Sequence, residues 1–282
     1  MSGSPRCRSD NDGPGPLTLA SNACPDLREL EVGYWHLDQP PGPLAQLTRL
    51  SLTAVTAPPD GAPVLRSLVE AAPRLEVLPS WDEEPGCGIA AAVEGHPCLR
   101  ELHLHRPQED WMRAIPRLPA LSDLELNVLS EWFEGEEMEA DAQATARVLR
   151  VCAWLGHCKS LLHLNLTVPG IPPANEMLAA VGAAVGSRLR TLTIYNVQLF
   201  AQNREAAATT LYTLVVCFPQ FEVLTLHLFA PDGMVASTAE AVARELLLAA
   251  PAVAPLCPAL GEVKLHYCAD GLQTATWLRS MV

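Results

Sequence analysis

The sequence is poor in charged residues, and positive charge is the scarcer kind. Charged residues make up 18% of the 282 positions, and 32 Asp and Glu oppose 19 Lys and Arg, a formal net charge of −13. Such a field repels phosphate backbones and anionic lipid surfaces. We therefore expect neither nucleic acid nor a membrane as a partner.

Long apolar segments are also missing. The N-terminal stretch MSGSPRCRSDNDGPGP contains no apolar core of a secretory signal. The longest apolar run, residues 246–261, is short for a bilayer and is broken by Pro251, Pro255 and Pro258. The nine cysteines are odd in number and scattered, which favours free thiols in a reducing compartment. A cytoplasmic protein is predicted, with the nucleus and the cytoskeleton or ciliary axoneme as alternatives.

Motifs for catalysis are absent as well. The sequence contains no Gly-rich phosphate loop, no nucleophile elbow and no convincing Ser/His/Asp order. We therefore predict a protein that is not an enzyme and needs no cofactor.

What the sequence does contain is a repeat. The pattern L-x-x-L-x-L occurs in nine copies, and only Ser80 breaks its apolar rule. The copies begin at Leu27, Leu47, Leu75, Leu99, Leu121, Leu161, Leu189, Phe221 and Leu260. In six copies a proline stands two residues before the first Leu or Phe, where it ends a helix and favours extended geometry. Each copy predicts a short strand whose apolar face is buried only when the copies stack.

Helical stretches are predicted between the strands. They cover residues 61–72, 138–152, 175–185, 203–217, 238–250 and 270–281. The predicted fold is an α/β solenoid of about nine repeats, curved like a horseshoe. A parallel sheet would line its concave side and helices its convex side.

This pattern resembles the leucine-rich repeats, specifically the long, ribonuclease-inhibitor-like class. The last copy, Leu260-x-x-Val263-x-Leu265-x-x-Cys268, resembles the cysteine-containing subtype of the F-box leucine-rich proteins. The resemblance covers about residues 23–282, and residues 1–22 are predicted to be a disordered tail. The chain departs from the family in its turns, since the expected Asn or Cys appears only at Cys268. The stretch that precedes Cys24 is also too short for an F-box.

The segment CPALGEVKLHYC raises the question of a metal site. A zinc ion held by Cys257, His266 and Cys268 would need a fourth ligand, and the spacing matches no common zinc finger. Small thiols also suit buried turn positions of a repeat. We therefore predict buried thiols and no metal.

Strand alternation predicts which residues face outward on the concave side, where a partner would bind. These predicted contacts are Glu101, His103, His105, Asp123, Glu125, Asn127, His163, Asn165, Tyr195, His227 and His266. A face of nine strands would be roughly 40 Å long, which suits a protein segment better than a small molecule. The alternatives are a solvated surface, a metal site around His103 and His105, and a pH-sensitive contact.

Two further features lie outside the strands. The segment SEWFEGEEMEAD, residues 130–141, sets Trp132 and Phe133 among six acidic residues. It is either a solvated insertion or a protruding contact with an aromatic anchor. Arg106 directly follows a strand, a place where some horseshoe-shaped GTPase activators keep functional residues.

The predicted function is a protein-protein interaction scaffold. The resemblance implies the substrate-recognition part of an F-box-type ubiquitin-ligase receptor, with a cytoskeletal or axonemal scaffold and a GTPase regulator as alternatives. The ends carry no obvious polar cap, so self-association through them, or a fragment of a longer protein, is also predicted.

Overall fold

A computed structural model describes most of the repeat region. The described residues are 26–33, 43–53, 62–81, 88–105, 109–127, 150, 153–167, 174–195, 204–228, 236–268 and 272–279. The predicted tail, residues 1–22, lies outside them.

Every copy of the repeat pattern forms a strand, as predicted. The strands are β1 (Glu29–Gly33), β2 (Arg49–Thr53), β3 (Val77–Trp81), β4 (Glu101–His105), β5 (Asp123–Asn127), β6 (His163–Thr167), β7 (Thr191–Tyr195), β8 (Val223–Leu228), β9 (Glu262–Cys268) and β10 (Leu272–Leu278). The α/β leucine-rich repeat fold is confirmed, with one strand more than the nine copies.

The chain divides into two compact units. The first comprises residues 1–126 and 158–160, and the second comprises residues 127–157 and 161–282. In the first unit, β1, β2, β3 and β4 pair in sequence order and run parallel. In the second, β6 to β9 do the same, and β10 then pairs antiparallel with β9.

The apolar positions of the repeat form the core. In β4 through β8 buried and partly exposed residues alternate strictly along each strand. Leu102 and Leu104 of β4 are 0% and 3% exposed, and Leu164 and Leu166 of β6 are 0% and 3% exposed. The predicted direction of the leucine side chains is therefore confirmed for these strands.

A tight turn precedes the strands and explains the prolines. The N–H of Leu75 donates to the carbonyl of Ala72, and that of Phe221 donates to Phe218. Pro73 and Pro219 therefore occupy the second position of a four-residue turn, for which the fixed φ of proline is suited. The proline both ends the helix and builds the turn.

The carbonyl just before a strand accepts two hydrogen bonds from the following repeat. The Thr48 carbonyl accepts the N–H of Glu76 at 2.8 Å and of Val77 at 3.0 Å. The carbonyls of Arg28, Glu76, Arg100, Leu162, Arg190 and Glu222 do the same. This repeated pair of bonds sets the register between successive strands.

The helices lie between the strands in sequence. They are α1 (Ala62–Glu70), α2 (Ile89–Val93), α3 (Glu109–Ala114), α4 (Ala174–Val185), α5 (Arg204–Cys217) and α6 (Ala236–Val253). Helices α1, α4, α5 and α6 match predicted stretches, and α4 begins at Ala174, one residue before the predicted start. The stretch 138–152 lies largely outside the described residues. None of the described helices has the length and apolar character needed to cross a membrane.

The prediction of a final helix over 270–281 is wrong. Residues 272–278 form β10 instead, in register with β9 from Leu272 opposite Cys268 to Leu278 opposite Glu262. The segment carries β-branched Thr274 and Thr276 in alternation, which favours a strand over a helix. The side chain of Arg279 then donates to the Pro258 carbonyl at 2.8 Å, which fixes the end of β10 to the turn before β9.

Candidate functional site

The first, third and fifth residues of the strands lie on the side of the sheet opposite the buried leucines, called here the polar face. All eleven predicted contact residues lie there and are partly exposed. Trp132, Phe133 and Arg106 lie outside the described residues. Their proposed roles stay predictions.

In the first unit the polar face is acidic. At these positions β1 to β5 carry five carboxylates and one arginine, Arg49, but no lysine. The carboxylates belong to Glu29, Glu31, Glu101, Asp123 and Glu125. This part of the face therefore presents a net negative charge to a partner.

One histidine bridges two of these carboxylates. Nε2 of His103 lies 2.8 Å from Oε1 of Glu101, and Nδ1 lies 3.9 Å from Oε2 of Glu125 on the next strand. The first contact joins neighbouring outward positions of one strand, and the second crosses to β5. Within the described residues no group of three His, Cys, Asp or Glu side chains is arranged to hold a metal ion. Three of the predicted contacts, Glu101, His103 and Glu125, are thus brought together in one polar cluster.

In the second unit three rings stack across neighbouring strands. The rings of Tyr195 and His227 have centroids 4.2 Å apart, those of His227 and His266 are 4.5 Å apart, and both pairs are tilted by 23°. These separations approach the strand spacing of about 4.8 Å, so the fifth positions of β7, β8 and β9 place the rings face to face. The stack is held by the sheet and not by flexible loops.

The central ring of the stack is neutral at physiological pH. Burial, and to a smaller extent the charge of His266, lowers the pKa of His227 to about 4. His266 is held from its other side, because its Nδ1 lies 2.9 Å from Oγ1 of Thr274 on β10. The central ring therefore contributes an uncharged aromatic surface to the stack.

The rest of this part of the face is rich in hydroxyls. Nδ1 of His163 lies 2.7 Å from Oγ1 of Thr191, and Asn165, Thr193 and Thr225 follow at the central position of β6, β7 and β8. Lys264 and Glu262 form an ion pair at 2.9 Å, so their charges compensate each other. The two units thus present different chemistry, an acidic face and a hydroxyl-rich face with stacked rings.

The cysteine question has a structural answer. Cys257 is 0% exposed, and its thiol lies 3.4 to 3.6 Å from the carbonyls of Phe218, Pro219 and Phe221 in the preceding turn. Burial raises its pKa, which keeps the thiol protonated. His266 projects onto the polar face, so the two side chains have different neighbours. Of the described cysteines, Cys98, Cys158, Cys217 and Cys257 are not bridged by a disulfide.

Two features of the structure were not predicted from the sequence. Strand β10 extends the polar face by Thr274, Thr276 and Leu278, a signal carried by the alternation in LQTATWL. The other is His96, which is buried in the turn before β4 and whose Nε2 lies 3.2 Å from the Ala72 carbonyl. Its position, three residues before the first leucine, holds apolar Leu44 and Leu118 in other repeats.

The chain is similar in structure to two bacterial proteins. The leucine-rich repeat-containing protein LegL7 from Legionella pneumophila is 13% identical with a TM-score of 0.48, and the match covers 89% of each chain. A protein from Bacteroides fragilis is 14% identical with a TM-score of 0.46, over 80% of this chain. The match spans 65% of the Bacteroides protein, less than two thirds of its length. No protein-family model matches the chain, and no curated protein matches it in sequence.

Proposed function

We propose that the chain is a non-enzymatic scaffold whose polar face binds another protein. The observation that carries the proposal is the ordered stack of Tyr195, His227 and His266, fixed by three paired strands. Rigid, partly exposed aromatic side chains lose little conformational entropy on binding and are common anchors of interfaces. The hydroxyls around the stack supply hydrogen-bonding groups for a polypeptide.

The acidic part of the face indicates what the partner carries there. Five carboxylates against one arginine on β1 to β5 favour a segment with Lys or Arg. Because these side chains are partly exposed, their attraction acts mainly on association and weakens with salt. We therefore expect a partner with a basic segment facing the first unit.

The ubiquitin-ligase role remains the specific function that we propose first. A cytoskeletal or axonemal scaffold and a GTPase regulator are the alternatives. All three would use a protein-binding face and differ in the protein that it recruits. The partner lost when the face is changed therefore identifies the role.

The experiment compares matched baits in pull-down and proximity labelling. Glu101→Gln/Glu125→Gln removes two charges from the polar face, and Glu70→Gln/Glu240→Gln removes two from exposed positions on α1 and α6. A specific partner should be retained by the wild type and the helix variant, and its affinity should fall about tenfold or more in the face variant. Tyr195→Ala/His227→Ala should weaken the binding of the same partner.

Two results would refute the proposal. One is that the wild type and both polar-face variants bind every partner equally well. The other is that only the helix variant loses binding of the partner. Circular dichroism of each bait excludes unfolding as the cause of a loss.

A further inference from the structure

The end of the sheet in the second unit presents an edge strand with unusual chemistry. In the strand order of the described residues β10 stands last, with β9 as its neighbour. It is seven residues long, Leu-Gln-Thr-Ala-Thr-Trp-Leu, and contains neither a charged residue nor a proline. Leu278 at its end is 65% exposed.

The hydrogen bonding of β10 shows which backbone groups point outward. The N–H of Arg279 donates to the Gly261 carbonyl at 2.9 Å, and this contact continues the register that pairs Leu278 with Glu262. In an antiparallel pair hydrogen-bonded and non-bonded residue pairs alternate. The backbone N–H and C=O groups of Gln273, Ala275 and Trp277 therefore point toward β9. The backbone groups of Leu272, Thr274, Thr276 and Leu278 point away from β9.

Such an edge is a template for another strand unless the protein protects it. Charged side chains, proline, bulges and short length are the usual protections. Strand β1, at the other end of the order, has five residues and carries Glu29 and Glu31. Strand β10 has none of these protections. Its four outward residues therefore offer both backbone donors and backbone acceptors to another strand.

We propose that β10 pairs antiparallel with β10 of a second copy of this chain, around a two-fold axis at Ala275. Such a contact uses the same surface of both copies and closes as a dimer. The outward-pointing residues have the spacing for this register. Thr274 lies opposite Thr276 of the copy, Leu272 opposite Leu278, and Ala275 opposite itself.

The side-chain pattern of the strand fits its own reversed copy. Cross-strand pairs of β-branched residues stabilise a sheet, and the register contains no like charges in opposition. At the axis the two Ala275 residues form a non-hydrogen-bonded pair, in which the Cα atoms approach to about 4.5 Å and small side chains are favoured. A single strand pair buries less than the roughly 1,200 Å² of standard interfaces, so we expect a dimer that dissociates on dilution to about micromolar concentration.

Two substitutions at one position test the edge by sedimentation velocity. Thr276→Pro removes an outward N–H and leaves the bonds to β9 intact, and Thr276→Lys places a charge at the edge. Each should weaken the dimer by about tenfold or more. Thr193→Lys, at the central position of β7 on the same face, makes the identical chemical change away from the edge and should leave the dimer unchanged.

A crosslink tests the register itself. Ala275→Cys should give a covalent dimer under mild oxidation, because a Cα separation of about 4.5 Å lies within the range that a disulfide bridges. Thr193→Cys should not. A wild type that stays monomeric at about 100 μM would overturn the proposal. So would a dimer that withstands both changes at Thr276, or one whose Ala275→Cys variant forms no more covalent dimer than Thr193→Cys. Thermal melts verify that each variant is folded.

Discussion

A single buried histidine should make the stability of the protein depend on pH. Nδ1 of His96 accepts the N–H of Cys98 at 3.4 Å, and Nε2 faces the Ala72 carbonyl, an arrangement that requires the neutral ring. Burial lowers the pKa of His96 below its ordinary value of 6.5, and the bond to Ala72 opposes the shift only in part. The folded state therefore binds fewer protons than the unfolded state below pH 6.5.

We predict that the free energy of unfolding falls as the pH drops below 6.5, and that His96→Leu makes this fall shallower. Leucine cannot titrate, and it occupies the same turn position at residues 44 and 118. One proton contributes at most about 1.4 kcal/mol per pH unit. Urea melts between pH 5 and 8 measure the slope, and His227, whose pKa is also lowered, leaves a residual dependence. An unchanged slope in His96→Leu would contradict the prediction.

At the scale of elements, the close approach of α4 and α5 depends on two glycines four residues apart. A Cβ at Gly182 would lie 2.4 Å from Cβ of Cys217, and one at Gly186 would lie 1.9 Å from the Cys217 carbonyl oxygen. Both distances are much shorter than van der Waals contact. The second is to a backbone atom, which cannot move aside by a change of rotamer. The end of α5 thus lies directly on Gly182 of α4 and on Gly186, the residue that follows α4.

We predict that Gly186→Ala lowers the free energy of unfolding by about 1–3 kcal/mol, the usual cost of overpacking. Gly261→Ala is the matched control, since its Cβ would meet nothing closer than 3.7 Å. That change should stay within about 0.5 kcal/mol of the wild type. Equal effects of the two substitutions in chemical denaturation would show that the helices do not pack this closely.

The sequence predicts the strands better than the other elements, for a physical reason. Each strand repeats the same buried positions, so nine copies reinforce one register. Helices α2 and α3 have five and six residues, too few to show a helical period, and they were not predicted. Strand β10 was missed because Asp270 is an apparent helix start and the repeat pattern does not extend to it.

At the scale of the whole molecule, one register governs the entire polar face, so a single strand can test it. Leu104 of β4 is 3% exposed, whereas His103 and His105 lie partly exposed on the opposite side. We predict that Leu104→Ala costs about 2–5 kcal/mol of stability through lost burial and a cavity. His103→Ala/His105→Ala should cost about 0.5 kcal/mol or less per site, as at ordinary surface positions. If urea melts ranked the two variants in the reverse order, the assignment of strand residues to the buried side and to the polar face would be wrong by one residue.

Membership of the polar face could be predicted from alternation alone, but its chemistry could not. The contact of His103 with Glu101 joins neighbours in one strand and was foreseeable from the pattern. The stack of Tyr195, His227 and His266 depends on how residues of three separate repeats align across strands, and on side-chain rotamers. The burial of His96 depends on a turn whose hydrogen bonds involve the preceding repeat. Such relations arise only from tertiary packing.

The paired hydrogen bonds onto the carbonyls of the seven residues named above also bear on how this chain can evolve. Each pair fixes a strand to the preceding one at its first residues, independently of the length of chain in between. The intervals between these copies accordingly differ, and the one from Phe221 to Leu260 is nearly twice as long as the one from Leu27 to Leu47. Insertions and deletions can therefore accumulate in the connections while the order of side chains on the sheet is inherited intact. The molecule can diversify its loops without losing the surface that its strands display.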